Sequence, residues 1–434
     1  MSKTTHYVLL LCFLLLVALG VGVYSHVTRV PTKQVKHLRI ALFTSQYTRG
    51  LAELEDDFEA KTGFTADIRV VGQIIFENRV ILSFVGKTGD MDVVHAPLIQ
   101  LPRWVQAGWL QPMTEQVNAM PDKADFFSGA LEAYNIKNEY WALPFFAEPG
   151  VMAYRKDILA AAGYDSPPKT WEHMLEVAEA IHNDKVAAFA MRGASGQGEN
   201  MFVFPMIMRA YGGNFFTNYP EDLSPDINSP KVLAALNVYS RLMRDYGPDG
   251  VGNFKFSEVV ASMQAGKTAM IVDGTSIAAQ AVDPKQSRFA NKIGLAAVPS
   301  GPSGRSPAIA VHGFAIPADA RNPEASMAFI KWATSEDVLT KIALARPFPD
   351  FTRNSVAENP EVIAKYAGLH PDFLRVRTQA MSEAIGHYRP LLPQWPEIGA
   401  SLGDNINAAV NGIVDPQVAL DTAAQETAKA LSDD

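Results

Sequence analysis

An α/β fold in two units, each a mostly parallel sheet flanked by helices, is what the sequence predicts, on three observations. Short apolar strand signals alternate with helix signals, the pattern of parallel strands joined by crossover helices. A second series of such elements starts after WALPFFAEPGVMAYRKDIL, residues 141–159. Finally, 434 residues, 48% of them hydrophobic, suffice to bury two or more sizeable cores.

In chain order, Leu38–Phe43 reads as a buried strand, Leu51–Lys61 as an amphipathic helix closed by Gly63, and Thr65–Val71 as a second strand. Met91–Val94 follows Gly89-Asp90 as a short strand with helical segments on either side. Ligands of such sheets bind at the carboxyl ends of strands, here Thr44–Tyr47, Gly72–Gln73 and His95–Leu98. In the second unit Thr170 is the expected cap of a helix from Trp171 to about His182, and Asn228–Asp245 carries another with Pro230 near its first turn. Ser257 is the expected cap of Glu258–Ala265, which Gly266 ends, and Thr268–Val272 is a strand stopping at Asp273-Gly274. Ile293–Ala297 and Phe314–Ile316 read as short strands, Asn322 and Ser335 as caps of two further helices, and the tail from Asp415 as a last helix opened by Pro416.

The net charge is −8 with no basic stripe, which argues against a nucleic-acid partner. The single cysteine, Cys12, leaves neither a disulfide framework nor a cysteine-ligated metal site, and no cofactor is expected. Lys3 followed by the apolar run Tyr7–Tyr24 reads as an export signal within residues 1–25, with cleavage sites at Ala18-Leu19-Gly20 or Val23-Tyr24-Ser25. The run is also long enough to stay as an uncleaved membrane anchor. Either way the bulk of the chain is expected outside the cytoplasm, in the periplasm or tethered there.

Residues 192–205, RGASGQGENMFVFP, place an arginine and three glycines before a Glu-Asn pair. They are not a nucleotide loop, because Gly198 is followed by Glu199 instead of Lys-Ser/Thr, and the glycine spacing is not G-x-G-x-x-G. Nor are they a nucleophile elbow, since Gln197 stands where the closing glycine is needed. What remains is one guanidinium, one carboxylate and one amide, a mixture suited to a neutral, hydroxyl-rich ligand or to a plain surface turn.

Five blocks in order resemble the extracellular solute-binding proteins of ABC transporters that bind sugars and related compounds (family 1). They are WALPFFAEPGVMAYRKDIL, PPKTWEHMLEVAEAI, AGKTAMIVDGT, HGFAIPADARNPEASMAFIKWATSED and RPLLPQWPEI. Within that family RGASGQGENM and YGPDG are similar to the mannitol and sorbitol branch, while AEPG at 147–150 and AIAVHGF at 308–314 depart from it. The resemblance implies a two-lobed, hinged fold with three crossings, near 146–151, 273–276 and 312–317. Lobe one would then be 38–147 plus 275–314, and lobe two 148–274 plus 315–434. It further implies a monomer that takes a small neutral carbohydrate or polyol between the lobes and hands it to the permease subunits of an importer.

Such a ligand needs aromatic faces for its C–H surface and polar groups for its hydroxyls. Glu148 sits at the first crossing, against the alternative of a lone surface acid. Arg192, Glu199 and Asn200 lie on the glycine loop, against an Arg192–Glu199 ion pair of purely structural use. Asp273 ends a strand beside a glycine turn, where an ordinary turn aspartate is the competitor. Ser45, Gln46, Gln73 and His95 end strands of the first unit. Phe43, Phe146, Phe216, His312 and Trp395 are candidate cleft aromatics, against core packing. Arg346 and Phe348 lie in a loop that the resemblance places near the ligand, while Trp171 and Trp332 read as packing.

A secreted carbohydrate-active hydrolase is the competing class. It needs two carboxylates across one bond, and Glu148, Glu199 and Asp273 are available. Metal hydrolysis finds no H-E-x-x-H pair among the nine histidines. A membrane-retained sugar sensor is the third reading. Saturable binding without turnover separates a carrier from a hydrolase.

Overall fold

The computed structural model describes residues 36–347, 349–385 and 388–432. The expected leader, residues 1–25, lies outside them. No helix among the described residues is long and apolar enough to cross a membrane.

Eight strands make the main sheet: β1 (His37–Phe43), β2 (Thr65–Val71), β3 (Val93–Pro97), β4 (Leu143–Arg155), β5 (Ala187–Ala190), β6 (Thr268–Gly274), β7 (Ile293–Ala296) and β8 (Ile309–Ala315). In the first lobe the order is β2-β1-β3-β8-β4. Strands β2 and β3 run parallel to β1, and β8 runs antiparallel to both β3 and β4, so β8 alone points the other way. In the second lobe β5 is parallel to β6, while β4 pairs antiparallel with β6 on one side and β7 on the other, so β4 alone is reversed. Each lobe is thus a sheet of mostly like-directed strands flanked by helices, as the alternation of elements predicts.

The lobes share one strand. The register of β4 matches Ile309 of β8 to Pro149, and then Gly274 of β6 to Gly150. Proline has no N–H to give a ladder, which makes it tolerable where one set of pairings stops. Gly150 is required by close approach: a Cβ there would stand 2.7 Å from the Met206 sulfur.

Two expectations about the chain path are corrected. The segment after Gly274 does not return to the first lobe, because β7 pairs with Met152–Arg155 and the helix Thr275–Val282 packs on β4. The return comes before β8, whose residues Ile309–Phe314 already pair in the first lobe. Residues after 315 then stay there at first. The Phe58 ring lies 5.2 Å from both Phe329 and Trp332, and Trp332 Nε1 donates to Asp57 at 2.9 Å. Helix Phe373–Glu383 then contacts β7 of the second lobe, and the terminal helices Trp395–Val410 and Pro416–Ser432 pack on second-lobe helices such as Pro230–Tyr246. The order of sequence blocks carries no information about which strand pairs with which, so the second and third crossings were misplaced.

Local signals fare better. Thr170, Asn322 and Ser335 each accept a hydrogen bond from the third residue on, as N-caps do. Gly63 closes its helix at φ 71°, the left-handed region that glycine enters freely. Ser257 is not a cap. The helix starts at Phe256, and the Glu258 carboxylate reaches back to the Lys255 N–H at 3.0 Å.

Candidate functional site

The carboxyl end of β1, the adjoining stretch of β3 and the facing residues of β4 and β8 form an aromatic shelf in the first lobe. Phe43 stands 4.2 Å from the His95 ring and 5.3 Å from His312, and Phe146 stacks on His312 at 4.4 Å with 14° between planes. His95 Nε2 and His312 Nδ1 share a hydrogen bond of 3.0 Å. Burial holds both imidazoles neutral: His95 is pushed well down by desolvation and then by His312, and His312 is pushed to about 3 by desolvation and then by Arg389. His312 is half-buried, and its Nε2 is the ring nitrogen outside that bond. A neutral imidazole edge beside phenyl faces suits a hydroxyl next to C–H groups.

At the junction of the lobes, carboxylates meet hydroxyls. Glu148, on β4, accepts from the Ser276 N–H at 3.2 Å and from the Ser276 hydroxyl, at the start of the helix Thr275–Val282. Asp350 is fully buried, accepting from Tyr47 Oη at 2.6 Å and from the Thr275 hydroxyl. Desolvation, and then the Glu148 charge, raise the Asp350 pKa to about 7. Glu148 is likewise raised, by desolvation first, against the pull of Arg192.

The second-lobe wall is built on Arg192. Its Nε donates to Asp273 Oδ1 at 3.1 Å and Oδ2 at 3.0 Å, Nη2 also meets Oδ1, and Nη1 donates to the Gly198 carbonyl at 2.5 Å. The guanidinium lies 4.5 Å from the Phe202 ring centre. Glu199 sits alongside, half-buried, raised by desolvation and drawn down by Arg192. Arg389 donates to the Gln197 carbonyl at 2.5 Å, and its pKa falls to about 10 through burial, with Arg192 adding to the shift. Its charge also depresses the His312 pKa.

Phe43, His95, Phe146, Glu148, Arg192, Glu199, Asp273 and His312 therefore gather at one interlobe region. Arg192 takes Asp273, and not Glu199, as its ion-pair partner. Six expected residues take other places. Ser45 is a helix cap, accepting from the Thr48 N–H at 3.1 Å, so its hydroxyl is occupied. Asn200 is fully buried and bonded at both ends, to Gly196 N at 3.2 Å and the Gly403 carbonyl at 2.7 Å, which ties the glycine loop to the helix Trp395–Val410. Phe216 and Trp395 are core residues of the second lobe, 2% and 0% exposed. Arg346 pairs with Glu53 on the first-lobe surface. Gln46 is exposed at the start of the helix Gln46–Ala52. Gln73 opens the helix Gln73–Gly86, with its side chain outside what is described, as is Phe348. Missing from the expectation were Tyr47, Thr275, Ser276, Asp350 and Arg389. Arg389 opens the quoted RPLLPQWPEI block, and Asp350 stands two residues beyond Phe348, so both carried a signal by position.

Two lobes joined by one shared strand, with polar and aromatic residues at their junction, define a ligand-binding protein of the periplasmic-binding type. Residues 44–339 match the family of bacterial extracellular solute-binding proteins, and the chain belongs to that family. A mannitol-binding protein of Pseudomonas aeruginosa is 26% identical over 378 residues, covering 83% of this chain and 85% of that one. The solute-binding protein of an ABC transporter from Agrobacterium radiobacter K84, solved with ribitol, superposes with a TM-score of 0.82 at 28% identity, over 91% of this chain and 98% of that one. Another from Agrobacterium vitis S4, solved with D-mannitol, gives 0.78 at 27% identity, over 92% and 98%.

Proposed function

We propose that the protein is the exported, monomeric binding component of an ABC importer, which captures a neutral polyol or sugar between its lobes and delivers it to the permease. One observation carries this: aromatic faces (Phe43, His312) and a wall where both signs of charge already face each other (Arg192 with Asp273) flank the junction on the shared strand, where His312 pairs with Phe146 and Asp273 with Val151. A ligand of net charge would meet repulsion from one sign or the other, whereas hydroxyls donate to the carboxylates and accept from the guanidinium groups. The relatives named for mannitol, and those solved with ribitol or D-mannitol, support the polyol class. Closure around the shared strand is the motion expected of such a pair of lobes. We assign no chemistry to the site. Both Asp273 carboxylate oxygens are already engaged by Arg192.

Calorimetric titration against mannitol, sorbitol, ribitol, erythritol and common mono- and disaccharides is expected to show saturable binding of at least one, with no turnover of glycosides. Binding of none would reject the proposal. Glu148→Ala and Glu199→Ala are each expected to weaken that binding about ten- to a hundredfold, since a charge-assisted hydrogen bond is worth roughly 1.5–3 kcal/mol. Wild-type affinity in both variants would place the ligand elsewhere.

A further inference from the structure

We propose that Phe256 is the aromatic platform of the second-lobe wall, the face on which the carbon backbone of the ligand lies and the counterpart of the Phe43–His312 shelf. Among the described phenylalanines, tyrosines and tryptophans it alone is broadly exposed, at 49%. A phenyl ring left in water forgoes a large gain from burial, and a single exposed apolar side chain needs no explanation by itself. The location of this one supplies a reason.

Phe256 opens the helix Phe256–Gln264, and its backbone N–H faces the Glu199 carboxylate, whose pKa it helps to lower against desolvation. Its ring centre is 5.7 Å from the Arg192 guanidinium, on which Phe202 also lies at 4.5 Å. The ring is therefore anchored beside the two side chains offered for hydroxyl recognition. The backbone leading to it is pinned as well: the N–H groups of Gly193 and Ala194 both donate to the Phe254 carbonyl, at 2.9 and 3.0 Å. Gly193 permits this contact, since a Cβ there would stand 2.3 Å from the Val251 carbonyl oxygen. The glycine at 193 thus serves to bring the 251–256 segment against the 192–200 loop, and with it an open aromatic face to the edge of the polar wall.

Polyols and sugars carry hydroxyls and a C–H surface. Arg192, Glu148 and Glu199 address the hydroxyls, and among the described residues no other broadly exposed aromatic face is available for the C–H surface. Phe256 is thus assigned to affinity for the carbon chain, and the polar residues to hydroxyl arrangement.

This assignment rests on the polyol reading above, and the test keeps the two apart. Titrate wild type, Phe256→Ala, Phe256→Leu and Phe256→Tyr with D-mannitol, ribitol and erythritol, and record thermal unfolding without ligand. An exposed ring predicts that melting temperatures stay together. Phe256→Ala is expected to lose affinity roughly tenfold and Phe256→Tyr to stay within about threefold of wild type, because stacking on an aromatic face adds to simple area burial. Phe256→Leu is expected to fall between them. If wild type binds but Phe256→Ala binds as well, or Phe256→Leu matches Phe256→Tyr, the platform is overturned and the polyol reading stands. If wild type binds none of the wider panel, both fall.

Discussion

Arg192→Ala is expected to abolish measurable ligand binding and to cost the fold about 3–5 kcal/mol, the usual result of removing one partner from a buried ion pair. Asp273 is 2% exposed, and Arg192 supplies three contacts to its carboxylate. Without the guanidinium that charge is left in the interior, and the Gly198 carbonyl loses its donor too. Arg192→Lys is expected to recover little, because an ammonium has no planar fork to span both carboxylate oxygens and Gly198 at once. Denaturant unfolding reads the stability and calorimetry the affinity. The double variant Arg192→Met/Asp273→Leu separates them: with no charge left to strand, stability is expected to return while binding does not. A fully stable Arg192→Ala variant would count against the ion pair, and one that still binds would count against the site.

The second large effect is a pH dependence centred on Asp350. An unfolded aspartate ionises near 3.9, whereas burial and the neighbouring Glu148 raise the folded-state value to about 7. Between those pH values the unfolded chain releases a proton that the folded protein keeps. The contribution of Asp350 to stability is therefore greatest below about pH 4, falls as the pH rises, and levels off above about 7. Asp350→Asn is expected to flatten that slope while keeping an acceptor for the Tyr47 and Thr275 hydroxyls, which bond to Asp350 in the wild type. The difference in melting temperature between variant and wild type should change by several degrees, on the order expected for a few kcal/mol, between pH 4.5 and 8. A constant difference across that range would show that Asp350 ionises normally.

What was legible in the sequence follows the range of the interaction that leaves the trace. Strands β1 and β2, the caps Thr170, Asn322 and Ser335, and the closing Gly63 depend on a few neighbouring residues, and each was readable to within a residue or so. The interlobe residues were partly readable, because strand ends in an α/β sheet are where ligands collect. Phe43, His95, Glu148 and Asp273 belong to that group. Asn200 and Trp395 have the right chemistry for a site, but their partners lie about 200 residues away: Asn200 bonds to Gly403, and Trp395 packs on Phe215 at 4.9 Å. Nothing local distinguishes such residues from ligand contacts. Tyr47 and Asp350 had only a signal of position, at a strand end and beside Phe348, and their pairing across 303 residues leaves no local trace.

The interleaving of β8 between β3 and β4 governs the order in which this chain can fold. His312 pairs with Pro97 on one side and Phe146 on the other, closures of 215 and 166 residues (312 − 97 and 312 − 146). Chains are made from the amino terminus, and domains fold as units as they emerge. Here β3 and β4 wait for a strand that arrives only after the second-lobe strands β5, β6 and β7 have been made. Until then the β3 edge beside Val94–Pro97 has no ladder partner, and closing so distant a contact is entropically slow. A nascent chain ending before residue 309 is thus expected to hold an incomplete first sheet, remaining open to chaperones and to passage through a narrow channel. A few residues later the same chain can lock both lobes together.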